Sequence, residues 1–451
     1  MSDKRVGRRA VVIGAGIGGL AAAGALAEFF EEVVILERDQ LPSDATTRAG
    51  VPQGRHLHGL LGGGFEALCA LFPDFASKLI DAGAVPIRMS IELCAEIGSR
   101  ARKRQDLGWY GYMQSRPLLE LVMQKALAAY PNVSVLCGHR VLALTATPDG
   151  AQVMGVRHAV SDSGAETLSA DLVVDASGRG TPTVDLLQAL DRPRPQEIEI
   201  GVDLGYASAL FAIPQDVPKD WLAVITHADP QQNSRAGVIN TIEDGLWIVT
   251  LCGRGDQQPP ADLAGFLDYA RQLGTQTVYN AIKGAEMVGG ISRFGIPGSV
   301  RRHFDLATMP DRLIVLGDAL CRFNPIYGQG MTVAACEALR LREVLLGSRD
   351  KRNPLDGVGR QFQVEAQRII DGPWQMSAVP DFVYPATRGQ RPDDFAQTLA
   401  YTAALQRLAL ADPAIDKLVT EVWHLLKPSA ALQDPALVQR VQAEMAATAA
   451  A

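Results

Sequence analysis

The sequence predicts an α/β protein: a parallel sheet, a mixed β-sheet inserted into it, and a helical C-terminal region. Three observations carry this expectation. The chain opens with a strand, turn, helix and strand; longer strands fill residues 184 to 300; and a buried strand ending in a second glycine-rich crossing returns at "DRLIVLGD".

The opening unit reads "RAVVIG" as a short apolar strand, "AGIGGLAAAGALAEF" as helix and "EEVVILER" as a second buried strand. Such a βαβ unit implies a parallel sheet with both faces covered. A glycine-containing loop, "RAGVPQGRHLHG", leads to one helical pattern, "FEALCALFPDFASKLIDAG". Short strands follow at "NVSVLCG", "RVLALTA" and "AQVMGVRHAV", the last two joined across the turn "TPDG" as a hairpin. "ADLVVDASGRGTPT" brings a strand to another glycine-rich crossing. Beyond it, "EIGVDLGYASALFAI", "DWLAVITHA", "SRAGVINTI" and "GLWIVTLCG" read as antiparallel strands, with a helix at "LAGFLDYARQL". The expected organisation is a nucleotide-binding part over 1–183 with an excursion near 80–115, a covering sheet over 184–300, a return to the first part over 301–350, and helices over 351–451. The alanine-rich tail is expected to fray.

Composition sets outer limits. At 451 residues, 47% hydrophobic and 21% charged, the chain is an ordinary globular sequence, and its net charge of −7 favours neither nucleic acid nor an anionic membrane. No segment reaches the roughly 18 uninterrupted apolar residues of a membrane span. The start "KRVGRRAVVIGAGIGGLAAAGALA" imitates a secretion signal, but Gly14, Gly16 and Gly19 interrupt it at spacings that export does not require. Six scattered cysteines without a CxxC pair indicate free thiols in a reducing compartment, the cytoplasm. The basic run "RARKR", Arg100 to Arg104, reads as a solvated turn; the alternative is a phosphate or acidic carrier contact.

"GAGIGG" is a GxGxxG at a strand-to-helix turn, and Glu37 ends the next strand 18 residues after Gly19. Gly14 suits the tight turn, Gly16 the approach of a pyrophosphate to the helix N-terminus, Gly19 helix packing, and Glu37 a ribose hydroxyl. The fold is thus Rossmann-like and binds a dinucleotide, with NAD and FAD both open at this turn. The second crossing, "GDALCRFNPIYGQGM", places Asp318 where a ribityl hydroxyl needs an acceptor. Gly328 and Gly330 bring backbone close to a ring, and Pro325 fixes the chain beneath it. NAD has no ribityl chain.

On these residues the sequence resembles the single-component, class A FAD-dependent monooxygenases of the aromatic-hydroxylase fold, whose "GD" motif matches Gly317 and Asp318. "PQGRHLHGLL", "FNPIYGQGM" and "PWQMSAVPDFVYPATRGQRP" are similar to the branch of polyether and polyketide epoxidases and tailoring hydroxylases. The resemblance implies Gly14, Gly16 and Gly19 on the pyrophosphate, Glu37 with Arg38 at the adenosine ribose, Arg116 near the phosphates, and the Val141 backbone at the adenine. It also implies Asp318 on the ribityl chain, with Gly317, Pro325, Gly328, Gly330 and Met331 completing the FAD site. The implied reaction is hydroxylation or epoxidation of a hydrophobic aromatic or alkene substrate, free or bound to a carrier or peptide, by a peroxyflavin made from O2.

"DASGRG" departs from the longer "DG" motif of aromatic hydroxylases, and no second GxGxxG follows a strand. NAD(P)H therefore binds transiently, or a partner flavin or NAD(P)H reductase supplies the electrons. His56 and His58 are weak catalytic candidates for flavin bonding or proton movement; satisfying their own loop is the equal alternative. The chain lacks the WxWxIP of flavin halogenases. A prenyl-chain reductase and a non-catalytic flavin escort are further alternatives.

Overall fold

The structure, a computed structural model, describes residues 4–98, 100–160, 164–215 and 220–449. Five parallel strands form the central sheet in the order Leu313–Val315, Leu172–Asp175, Gly7–Ile13, Phe30–Glu37, Val133–Cys137. Side-chain alternation divides the first strand between two cores. Ala10 and Val12 pack with the helices Ile17–Leu26 and Gln329–Ser348, whereas Val11 and Ile13 pack with Leu144 and Val156 of an antiparallel meander. The sheet is thus covered on both faces. The helix Ile17–Leu26 is buried all round, which its run of alanines and glycines allows.

The second sheet is mixed and eight-stranded, its long members being Gln196–Ala212, Leu246–Arg254 and Met287–His303. Helices Leu263–Arg271 and Thr277–Ile282 cover one face through Phe266, Tyr269 and Val278. Leu93–Ile97 joins this sheet from the expected excursion, and Cys321–Arg322 ties its other end to the second glycine crossing.

Two readings need correction. The stretch "FEALCALFPDFASKLIDAG" is two helices, Gly62–Leu71 and Phe75–Asp81, because Pro73 has no N–H to continue the first, and Asp74 has φ +59°. The strand Met287–His303 escaped the sequence reading: it is rich in glycine and arginine and carries Pro297, which argues against a central strand. The structure accommodates Pro297 at a register shift opposite Gly201 to Leu204, where the regular ladder is already broken. The helical region expected over 351–451 ends in the helix Pro435–Ala449, anchored by buried Leu437 and Val441 against Leu405 and Ile415; residues 450 and 451 lie outside the described residues.

The "TPDG" hairpin forms as expected, and all six cysteines are free thiols. Among the described residues no helix is long and apolar enough to cross a membrane. In "RARKR", Arg102 is paired with Asp416 and Arg104 with Asp220, while the Arg100 side chain lies outside the described residues.

Candidate flavin site

The two glycine crossings, some 300 residues apart in sequence, open side by side at the C-terminal edge of the parallel sheet and line one cavity of about 540 Å3. At the first crossing, Gly14 has φ +95°, and a side chain there would meet the Ala176 carbonyl oxygen at 2.8 Å. A Cβ on Gly19 would lie 1.9 Å from the Gly14 carbonyl oxygen, so Gly19 is where helix meets strand and, unlike Gly14 and Gly16, it does not line the cavity. Gly16 begins the helix Ile17–Leu26, and a Cβ there would meet nothing within 4 Å, which leaves room for a group against the helix N-terminus.

Glu37 is buried at the end of its strand and lines the cavity. Its Oε2 accepts the Ala15 N–H at 2.7 Å and lies 3.0 Å from Arg48 Nη1, while Oε1 accepts the Asp39 N–H at 3.0 Å. A carboxylate has about four lone-pair directions, so one on Oε1 remains for a hydroxyl. Arg48, which sequence reasoning missed, is buried among Glu37, Asp39 and Glu120 and donates to the Ala15 carbonyl at 2.9 Å. Arg38 and Val141 line the same end of the cavity.

At the second crossing Gly317 has φ +64°, and its N–H donates at 2.7 Å to Oε2 of Glu337, a fully buried residue of the helix Gln329–Ser348. Burial pushes the Glu337 carboxyl up to about 8, against the pull of that hydrogen bond. Asp318 faces the cavity with no hydrogen-bond partner for its carboxylate among the described residues; burial raises its pKa, opposed by Arg116, Arg322 and Arg179. Pro325, Gly328, Gly330 and Met331 continue the wall, and Gly328 at φ +70° starts the helix.

A buried cluster holds this wall in place. Asp381 is fully buried and accepts from Arg254 at 2.5 Å, from Asn324 Nδ2 at 3.0 Å and from the Tyr327 hydroxyl at 2.7 Å. Arg254 also stacks over the Tyr384 ring at 4.3 Å. "FNPIYG" and "VPDFVY", both noticed in the sequence, are therefore the two halves of one charge-centred clamp.

The histidines separate. His58 lines the cavity, its Nδ1 donating to the His56 carbonyl at 2.8 Å and its Nε2 3.4 Å from Arg116 Nη1. Arginine only donates, so Nε2 is the acceptor and His58 is neutral. Burial and Arg116 lower its pKa to about 3. With both nitrogens engaged, His58 orients Arg116, which also bonds Glu120 at 2.9 Å, and has no free nitrogen to carry a proton.

His56 lies instead on a second chamber of about 60 Å3, lined by Tyr206, Val238, Thr250, Cys252 and Ile326, that shares Leu57, His58, Phe294, Ile296 and Pro325 with the main cavity. His56 Nδ1 is 2.8 Å from Ser208 Oγ, and Ser208 Oγ is 2.6 Å from Thr250 Oγ1. Burial and the Arg55 charge lower its pKa to about 4. The Tyr206 hydroxyl, on a residue only 6% exposed, has no partner in this chamber.

Asp175 of "DASGRG" is 1% exposed and spent within its own loop, accepting the Thr183 hydroxyl at 2.5 Å and the Ser177 N–H at 3.1 Å. Arg179, from the same loop, and Arg322 stand on the cavity wall.

A parallel-sheet nucleotide cavity crossed by a mixed sheet is the architecture of class A flavin-dependent monooxygenases and halogenases, and residues 8–350 match the FAD binding domain family, to which the chain belongs. It is an FAD-dependent oxidoreductase by family and fold. It is 31% identical to Protein Rv3254 of Mycobacterium tuberculosis over 85% of this chain and 83% of that one. Its fold is similar to the flavin-dependent brominase Bmp2 (13% identity, 92% and 94% of the two chains, TM-score 0.67). It is also similar to 2-methyl-3-hydroxypyridine-5-carboxylic acid oxygenase (15% identity, 82% and 90%, TM-score 0.57).

Proposed function

We propose that this chain is an FAD-dependent monooxygenase that hydroxylates or epoxidises a hydrophobic aromatic or alkene substrate. The observation that carries this is the second chamber: a mostly apolar space that shares a wall with the main cavity at Pro325 and is roofed by the mixed sheet.

The cavity fits FAD. Gly14 and Gly16 would hold the pyrophosphate, Glu37 the ribose, Arg38 and the Val141 backbone the adenosine end, Arg116 the phosphate region and Asp318 the ribityl hydroxyls. Gly317, Pro325, Gly328, Gly330 and Met331 would lie against the ring. Bound FAD supplies electron acceptance and O2 activation, while the protein supplies placement, water exclusion and a proton route. The His56–Ser208–Thr250 chain suits that route, because a neutral His56 with Nδ1 on Ser208 keeps Nε2 for exchange. Arg179 and Arg322 suit a transient NAD(P)H at the rim; a partner reductase is the alternative source of electrons. The free thiols support a cytoplasmic setting.

The test is uptake of FAD by the purified chain, followed by turnover of candidate aromatics and alkenes under 18O2 with NAD(P)H or a reductase. One labelled oxygen in the product is expected. Saturated or halogenated product without label overturns oxygenation in favour of chain reduction or halogenation, the latter being the chemistry named for Bmp2.

A further inference from the structure

The helix Pro413–Trp423 meets the helices behind both cavity walls at the turn that follows it. At the end of the helix Pro413–Trp423, the His424 carbonyl accepts the Gly63 N–H at 2.8 Å and His424 Nδ1 accepts the Gly62 N–H at 3.2 Å. These are the first two amides of the helix Gly62–Leu71, donors that have no partner within their own helix. The Trp423 carbonyl accepts from the Gln329 side chain at 3.1 Å, at the first residue of the helix Gln329–Ser348. A fourth bond joins the two helix starts directly, from the Leu61 N–H to Thr332 Oγ1 at 3.0 Å.

The docking is close. A Cβ on Gly63 would lie 2.5 Å from the Leu425 carbonyl oxygen, and one on Gly62 would lie 2.9 Å from the Leu426 side chain. Leu425 is held at φ +56°, a conformation costly for a branched side chain. Both helices that receive the turn follow directly from the loops that wall the cavity, Leu57 to Gly59 on one side and Pro325 to Gly328 on the other. The same C-terminal unit grips the edge of the mixed sheet, where Asp416 pairs with Arg102 and accepts from Gln105 at 2.5 Å, and the Trp109 ring meets His424 at 4.6 Å.

We propose that His424 is a positioning residue: its imidazole and carbonyl cap the helix that follows one flavin wall, and its neighbour Trp423 anchors the other, so that the C-terminal helices set the spacing of the two loops around the ring. This rests on FAD occupying the cavity. The geometry requires an acceptor at the Nδ1 position, which Asn reproduces through Oδ1 and Gln, one carbon longer, does not.

The test compares full-length His424→Asn, His424→Gln and His424→Ala by FAD titration, visible circular dichroism of the bound flavin and thermal melting without FAD. His424→Ala and His424→Gln are expected to weaken FAD on the order of tenfold and to shift the flavin spectrum, since the partly buried Gly62 N–H at the helix start loses its acceptor; His424→Asn is expected to stay near the unmodified protein in both. Unchanged affinity and spectrum in His424→Gln overturn the proposal, as does equal damage in all three with equally lowered melting, which marks packing alone. If His424→Ala does not fold, the Asn and Gln pair decides. An unmodified chain that takes up no FAD defeats the flavin site itself, and the clamp with it.

Discussion

Glu337 is the residue whose substitution tests the second crossing most directly. Its carboxyl, fully buried in the middle of the helix Gln329–Ser348, accepts the Gly317 N–H at 2.7 Å, and burial pushes it up to about 8. Because the folded pKa lies above the ordinary 4.5, this group's contribution to stability is complete below pH 4.5 and is lost as pH rises through 8. Between pH 7 and pH 9 the loss is on the order of 1 kcal/mol, at 1.36 kcal/mol for each unit of displacement. Glu337→Gln keeps a carbonyl for Gly317 and has nothing to ionise. It should match the unmodified protein at pH 7 and lose about 1 kcal/mol less between pH 7 and pH 9. Glu337→Leu leaves the Gly317 N–H buried without an acceptor, which costs about 1–3 kcal/mol at pH 7, and loosening the Gly317–Asp318 turn should weaken FAD binding by roughly five- to a hundredfold. Urea midpoints at both pH values and FAD titration by fluorescence quenching measure these effects. An identical pH slope in Glu337→Gln, or no cost in Glu337→Leu, refutes the reasoning.

Arg48→Met strands three carboxylates, Glu37, Asp39 and Glu120, around one buried site; a stability loss of about 3 kcal/mol and a fall in FAD affinity should appear together in denaturation and titration. Asp381→Asn retains an acceptor for Asn324 and Tyr327 but removes the counter-charge of Arg254, so it should cost about 3–5 kcal/mol by urea unfolding. His56, depressed from 6.5 to about 4, resists protonation in the folded state, so its contribution to stability is lost as pH falls from 6.5 toward 4. His56→Gln should reduce the loss between pH 7 and pH 5 by about 2 kcal/mol, read from paired denaturation curves.

The parallel sheet and both crossings were legible because each is local: an apolar run, glycines at turn spacing and an acid at a strand end lie within a few dozen residues of one another. What holds the crossings in place was not legible. Arg48 sits in a loop where one sequence shows only a charge, and Asp381 lies 57 residues from Asn324, so its pairing belongs to the fold and not to any window of the chain. Glu337 did leave a signal, an acid inside the apolar helical pattern "TVAACEALRLREVLL", since a carboxylate on a buried face needs a partner. The strand Met287–His303 was missed because its proline argues against a strand until the register shift that excuses it is visible.

The two crossings share one device that unites these residues. In each, a glutamate carboxylate catches a backbone N–H of the glycine turn at 2.7 Å: Glu37 takes Ala15, and Glu337 takes Gly317. Glu37 reaches its turn from the end of the neighbouring strand and has Arg48 at 3.0 Å. Glu337 reaches its turn from the helix above, where Gly317 is its sole hydrogen-bond donor among the described residues, and burial holds it neutral near pH 7. The difference suits what each turn faces. Glu37 keeps one lone-pair direction on Oε1 free toward the cavity, with Arg48 as its cationic partner. At the second crossing burial and the neighbouring Asp318 charge both push the Glu337 carboxyl up, against the pull of the Gly317 N–H. Glu337→Asp, shorter and less able to reach the Gly317 N–H, should therefore damage FAD binding more than the neutral Glu337→Gln, which keeps the acceptor in place.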